Sequence, residues 1–320
     1  MRILFFGDGQ WAADSLLRLH QVGWLIQGVV IRTRPTDSSL AEAAKQLRLD
    51  VWQPTNVNQT EFVEQISQLN PEICLSVSYD QILGSHIRQV APQGVVNFHA
   101  GKLPFYRGRN VINWAIINGE TEIGLTAHYV DEGIDTGDII LQRSLPIGWT
   151  DTYGDVLAKV VMALPDLVVE TVSQIANGDA QRQPQSHLPG SYFAARRTGD
   201  EWLDWSESSR NLHNKVRAIS RPGPGSRTLL DSRLLIIWRA FYDPSWPSYI
   251  GSPGQIVGRR RGEGVLVKTA DSTLLLQEAQ FEGDEARHTP DWPIGTRLGV
   301  NLMQYLYLLE NRIASLQATG

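Results

Sequence analysis

Three clusters of residues could do chemistry. In Asn97-Phe98-His99 a carboxamide and an imidazole alternate along an apolar run, so on an extended strand both side chains leave the same face. Such a pair can donate hydrogen bonds to a reacting group and move a proton, although a histidine in an apolar strand also serves as a hydrogen-bonded core residue. Gly101, Pro104 and Gly108 shape the loop that follows, which carries Lys102, Tyr106, Arg107 and Arg109. The second cluster, His128 to Asp138, places Asp131, Glu132, Asp135 and Asp138 around Gly133 and Gly137. It reads as a solvated turn, a divalent-metal loop or a loop that aims one carboxylate inward; calcium-loop spacing is absent, and no metal is expected. The third, Gly7-x-Gly9-x-x-Ala12, imitates a dinucleotide fingerprint, but the second strand ends in Arg32 where an acidic ribose ligand would be expected. That turn is read as a structural one that lets a helix pack on the sheet.

The elements that must position these clusters alternate strand and helix, the signature of βαβ units. Strands are expected at 3–6, 26–31, 73–78 and 94–99, with an extended piece from Val51, and helices at 11–20, after Ser38 and Ser39, which can cap it, at 60–69 and at 112–117. A hairpin pairs 125–130 with 139–145 around the acidic loop, and a long helix spans 152–176. From Asn177 to Arg197 the chain turns polar and proline-bearing, which is linker behaviour. Beyond it, one helix (208–219) and five short β-runs suit a small barrel. The expected architecture is α/β: a Rossmann-like, mostly parallel sheet with helices on both faces over 1–185, a linker at 186–200 and a β-rich, OB-like domain over 201–320.

Composition narrows the function classes. The 320 residues, 42% hydrophobic and 20% charged, describe a globular chain with room for two cores, which excludes disordered and collagen-like classes. A net charge of -5 argues against binding bulk nucleic acid or an anionic membrane surface. The single cysteine, Cys74, lies in an apolar run, so no intrachain disulfide or cysteine zinc site is possible, and a reducing compartment is expected. With no signal-peptide pattern and no apolar run near about 20 residues, the chain is expected to be cytoplasmic.

The joint pattern points further. Asn-x-His followed by Leu103-Pro104-x-x-Arg107-Gly108, and then by His128-x-Val130-Asp131-x-Gly133-x-Asp135-x-Gly137, resembles the folate-dependent formyltransferases that act on methionyl-tRNA, glycinamide ribonucleotide or nucleotide sugars. The resemblance extends through Tyr192-Phe193-Ala194-Ala195-Arg196-Arg197, Asp204-Trp205 and the 212–225 stretch. It implies that Asn97, His99 and Asp135 form a catalytic trio and that the formyl donor is N10-formyltetrahydrofolate. It also implies that Ser78, Tyr79, Gln81, Ile82 and Leu83, with Asp131, Gly133 and Asp138, hold the folate, largely through backbone groups; Asp131 is read as structural. Where many members carry Ser-Leu-Leu-Pro, this chain has Gly101-Lys102-Leu103-Pro104.

The resemblance leaves the acceptor to be chosen. The connection after the second strand holds only Arg32 and Arg34 before Pro35, and from Asp200 onward 14 Lys+Arg balance 14 Asp+Glu. A tRNA needs many phosphate contacts. The expected acceptor is therefore a nucleotide-linked amino dideoxy sugar of surface polysaccharide (O-antigen) synthesis, with Lys102, Tyr106, Arg107 and Arg109 as substrate contacts and a homodimer as the assembly. Methionyl-tRNA is the alternative acceptor, and a dinucleotide-binding oxidoreductase ranks last.

Overall fold

The computed structural model describes residues 1–185, 192–300, 306–307 and 309–314. The chain divides into two compact units, one of Met1–Ala115, Glu120–Trp149 and Asp155–Arg196, the other of Ile116–Gly119, Thr150–Gly154 and Arg197–Gly320.

The first unit is built on strands β1 (Arg2–Gly7), β2 (Leu25–Ile31), β3 (Val51–Trp52), β4 (Ile73–Val77), β5 (Val95–His99), β7 (Glu122–Tyr129) and β8 (Ile139–Pro146), and on helices α1 (Gly9–Gln21), α2 (Ser39–Gln46), α3 (Thr60–Ser67), α4 (Ser85–Gln89), α5 (Val111–Ile117) and α6 (Tyr153–Asn177). The sheet order is β3-β2-β1-β4-β5-β7-β8, parallel through β5, after which β7 and β8 run antiparallel. The order reverses between β1 and β4, and in open α/β sheets ligands bind beyond the carboxyl ends of strands at such a point. A further two-residue strand, β6 (Arg107–Gly108), pairs in parallel with β9 (Tyr192–Phe193).

Alternation along β1 decides the two faces. Leu4 and Phe6 join Val57, Phe62, Ile66, Leu83 and Ile87 in one core, supplied by α3 and α4. Gly7 meets α1 on the opposite face: a Cβ there would lie 2.9 Å from the Ala12 Cβ and 3.0 Å from the Val77 carbonyl oxygen. The first glycine of the Gly-x-Gly turn thus serves packing. In α6 the buried Val156, Val160, Leu164, Val168 and Val172 recur four residues apart, which is one stripe of a helix.

The second unit places α7 (Ser209–Ile219) against a five-stranded antiparallel sheet of β10 (Ser226–Leu230), β11 (Arg233–Phe241), β12 (Ile256–Arg260), β13 (Gly264–Lys268) and β14 (Thr273–Phe281), ordered β10-β11-β14-β13-β12. Arg297 and Leu298 bridge Gln255 and Leu230 at the two edges, so this segment closes the sheet over a core that includes Leu212, Val216, Leu235, Ile237 and Leu276.

Two local expectations need correction. Ser38 stands at the start of α2 but does not cap it: its hydroxyl donates to Glu42 at 2.6 Å, and Asp37 takes the Ser39 N–H at 2.8 Å. The polar stretch after Asn177 is not free linker. Gln183 bridges Ile139 through two backbone bonds, Gln185 is buried, and Tyr192-Phe193 forms β9; residues 186–191 lie outside the described set. Among the described residues, no helix is long and apolar enough to cross a membrane.

The close approach at Gly7 predicts that Gly7→Ala lowers stability by about 1–3 kcal/mol through overpacking, read as a shifted midpoint in urea denaturation. An unchanged midpoint would show that α1 can retreat at no cost.

Candidate functional site

Register brings the first two clusters together. Asn97 sits opposite His128 across the antiparallel β5–β7 pair, and His99 opposite Thr126. The loop from β7 to β8, residues 130–138, sets the acidic cluster beside them, with Gly137 packed so closely that a Cβ would lie 1.9 Å from the Tyr129 carbonyl oxygen. Asp135 adopts φ 53, the left-handed region, which costs an L-residue about 1–2 kcal/mol.

The Asp135 carboxylate is the hub. Its side chain is 13% exposed; Oδ2 accepts the Gly108 N–H at 2.9 Å and lies 3.6 Å from His99 Nδ1, while Oδ1 lies 3.5 Å from both His128 Nε2 and Asn97 Nδ2. Burial alone pushes this carboxyl upward. The charge of His99, the hydrogen bond and charge of His128 and the Gly108 N–H pull harder and hold it well below the usual carboxylate range. Thus three of the four groups around the carboxylate come from β5 and β7, and the fourth from β6.

The ring nitrogens of both histidines are occupied. His99 Nε2 lies 2.6 Å from the Tyr106 carbonyl oxygen and so carries a hydrogen, leaving Nδ1 towards Asp135. His128 Nδ1 lies 2.8 Å from the Tyr129 carbonyl oxygen and so carries a hydrogen, while Nε2 lies 3.1 Å from Asn97 Nδ2 and 3.5 Å from Asp135 Oδ1: the neutral ring accepts from the amide there, and the charged ring donates to the carboxylate. In the sequence His128 is only the first residue of the acidic motif, with no role of its own. The signal lay in strand parity: His128 and Thr126 alternate on β7 as Asn97 and His99 do on β5, and the two strands pair.

The remaining expected residues scatter by role. Asp131 takes the Gly133 N–H at 3.0 Å and the Thr136 hydroxyl at 2.5 Å, an Asx turn that shapes the loop. Ser78, at φ 61, is gripped by Arg32, whose guanidinium bonds both the Ser78 carbonyl and, at 3.0 Å, its hydroxyl, and pairs with the buried Asp8 at 3.2 Å. Asp8, between the two glycines of the turn, spends its carboxylate on Arg32 and on the Thr36 N–H at 2.9 Å. Gln81 is engaged with the Val57 N–H and the Pro54 carbonyl, Leu83 is core, Ile82 is exposed, and Tyr79 packs edge-on against Phe6 with its hydroxyl buried and unpartnered. Gly133 and Asp138 lie in the loop itself, the Asp138 carbonyl accepting the Tyr129 N–H at 2.9 Å.

Of the expected substrate contacts, Arg107 is corrected: it is 1% exposed and bonded to Gln185 and Tyr192, so it supports the site from behind. Lys102 pairs with Glu122. Tyr106 donates to Glu120 at 2.6 Å and stacks on Phe193, and Arg109 bonds the Asp80 carbonyl at 3.2 Å. Lys102, Tyr106, Glu120, Glu122 and Phe193 line a pocket of about 330 Å³. Among the described residues, no group of three or more His, Cys, Asp or Glu side chains could hold a metal ion.

Comparison with known proteins gives these groups a context. Residues 1–172 match the formyl transferase family, and 197–297 match the formyl transferase C-terminal domain. A methionyl-tRNA formyltransferase of Desulforamulus reducens is 34% identical over 308 residues, covering 93% of this chain and 96% of that protein. Among solved structures, WlaRD, a sugar 3N-formyl transferase crystallised with dTDP and 5-N-formyl-THF, superposes with a TM-score of 0.68 at 21% identity, covering 89% of this chain and 98% of that one. The N-formyltransferase from Helicobacter canadensis, solved with folinic acid and dTDP-3-aminofucose, gives the same TM-score and identity over 86% of this chain and 98% of its own. The chain belongs to the folate-dependent formyltransferase family, and it is a formyltransferase enzyme.

The depressed carboxyl makes a stability prediction. A group whose folded pKa is lowered stabilises the native state above its unfolded value, and this contribution is lost as pH falls through the folded value. For Asp135 the ordinary value is 3.8. The stability advantage of wild type over Asp135→Asn is therefore expected to be intact at about pH 5 and reduced by about pH 3. Urea denaturation measures it; a difference that stays constant over that span would mean the carboxylate is not held as described.

Proposed function

We propose that this enzyme transfers the formyl group of N10-formyltetrahydrofolate to the amino group of methionyl-tRNA. The observation that carries this reading is the end-to-end relation to a methionyl-tRNA formyltransferase at 34% identity, which runs through both domains; the sugar-acting structures are 21% identical and speak for the fold. The expectation of an amino-sugar acceptor yields to that relation as the leading reading.

Ser78 to Leu83 and the Asp131–Asp138 loop are the groups to hold the folate. The buried, unpartnered Tyr79 hydroxyl fits this, because an orphaned polar atom costs about 1–3 kcal/mol until a ligand's polar edge satisfies it. When bound, the folate supplies the formyl carbon. Asn97 is the donor for the formyl oxygen as negative charge gathers there, a contribution typically worth about 100-fold in rate. His99 takes up the proton that the attacking amine loses. Asp135 orients the ring and stabilises its charged form, as a buried carboxylate does for an imidazole base. Since His99 Nε2 lies against the Tyr106 carbonyl, it serves as the base only in the tautomer that keeps the ring hydrogen on Nδ1, towards Asp135; the acceptor amine then takes the carbonyl's place at the free Nε2.

One observation keeps a second acceptor in view. The connection after β2 offers few cations for a phosphate backbone: Arg32 is engaged by Asp8 and Ser78, which leaves Arg34. That charge pattern suits a nucleotide-linked amino sugar, with its two phosphates, better than a tRNA.

Incubation with N10-formyltetrahydrofolate and either methionyl-tRNA or a panel of nucleotide-linked amino sugars separates the readings. Formylmethionyl-tRNA is the expected product; a formylated sugar alone would transfer the case to the second reading. With the productive acceptor, Asn97→Ala, His99→Ala and Asp135→Ala are each expected to lower kcat by about 100-fold while circular dichroism shows a folded protein. Near-normal turnover by His99→Ala would remove the imidazole from the chemistry.

A further inference from the structure

We infer that Gln185 is a positioning residue for Asp135, reaching the site from a stretch whose composition reads as linker. Its carboxamide is buried, at 8% exposure, and engaged on both ends. Oε1 accepts from Arg107 Nε at 3.2 Å and Nη2 at 2.7 Å, while Nε2 donates to the Asp135 carbonyl at 3.0 Å and to the Gly137 carbonyl at 2.6 Å. Those two carbonyls flank the turn in which Asp135 holds its left-handed conformation, so one amide group fixes the peptide planes that aim the carboxylate.

The same short strand supports Asp135 by two routes. Gly108 donates directly to the carboxylate at 2.9 Å, and its neighbour Arg107 anchors Gln185, which anchors the Asp135 backbone. Arg107 is itself fixed by the Tyr192 hydroxyl at 3.1 Å, with its guanidinium 5.2 Å from the Tyr192 ring centroid. The arrangement needs a side chain that accepts at one end and donates at the other. A carboxamide does both; a carboxylate of the same shape keeps the Arg107 bonds and opposes two carbonyl oxygens.

This inference rests on the reading that Asp135 acts in formyl transfer, and a double-mutant cycle separates the two. In the wild-type background Gln185→Glu is expected to lower kcat by about 10-fold to 100-fold, the size of loss that small misplacement of a reacting group produces. In an Asp135→Asn background the same change is expected to cost less than about twofold, because the group it positions is already gone. General loss of folded protein would instead multiply through both backgrounds. The acceptor used is whichever one is formylated in the assay above. Equal losses in both backgrounds, or no loss in wild type, would overturn the positioning role; full activity of Asp135→Asn would overturn the reading beneath it as well. If Gln185→Glu does not fold, Gln185→Asn, one methylene too short to span Arg107 and both carbonyls, runs through the same cycle. A crystal structure of either variant tests the point without substrate: Asp135 Oδ2 is expected to leave the Gly108 N–H, and an undisturbed bond there would refute the inference.

Discussion

A buried carboxylate must be surrounded by donors or it will not stay ionised, and Asp135 shows what that requirement does to a fold. Two imidazoles, a carboxamide and a backbone N–H converge on its two oxygens. To deliver them, β5 and β7 must pair in the register that sets Asn97 against His128, and the β7–β8 loop must fold back against the end of β7, which the crowded Gly137 allows. Slipping that register by one residue would send Asn97 and His99 to the other face of the sheet. The carboxylate is therefore both the proposed chemical centre of the site and a constraint on the strands around it.

A second buried carboxylate does comparable work at the end of β1. Asp8 pairs with Arg32, and Arg32 grips Ser78, so the turn after β1, the end of β2 and the turn after β4 are tied together at the carboxyl edge of the sheet. This is the place where an α/β sheet usually receives its ligand. Here the acid within the turn that imitates a phosphate-binding loop is bonded to Arg32 and Thr36. The segment that follows Ser78 is consequently held in place, with the Tyr79 hydroxyl buried and without a protein partner. The two ion-bearing clusters thus divide the labour, one shaping the edge where the folate is proposed to lie and the other carrying the proposed chemistry.

Much of the fold was legible because its elements are amphipathic and long enough to show a period. The strands at the ends of β1, β2, β4 and β5, the hairpin of β7 and β8, the long helix α6 and the five β-runs of the second unit all have clear apolar patterns. What escaped was short or cooperative. Helix α4 spans five residues, and β6 and β9 are two residues each, exposing too few positions for any period. Ser38 looked like a helix cap, but a hydroxyl beside two carboxylates has several partners to choose from, and Glu42 won. Gln185 carried no signal at all: a glutamine in a proline-bearing stretch looks solvated until the chain folds back to bury it.

By itself the sequence determined the family, the order of the longer strands and helices, and the identity of the amide, imidazole and carboxylate that are proposed to act, because these depend on residue type and on spacings within single motifs. Only the tertiary structure decided that His128 joins them, that Arg107 faces inward and that Gln185 reaches the Asp135 turn. Those outcomes depend on which strands lie side by side and on what a buried polar group can find to bond, and both are settled by packing between segments that lie as far apart in the chain as Arg107 and Gln185.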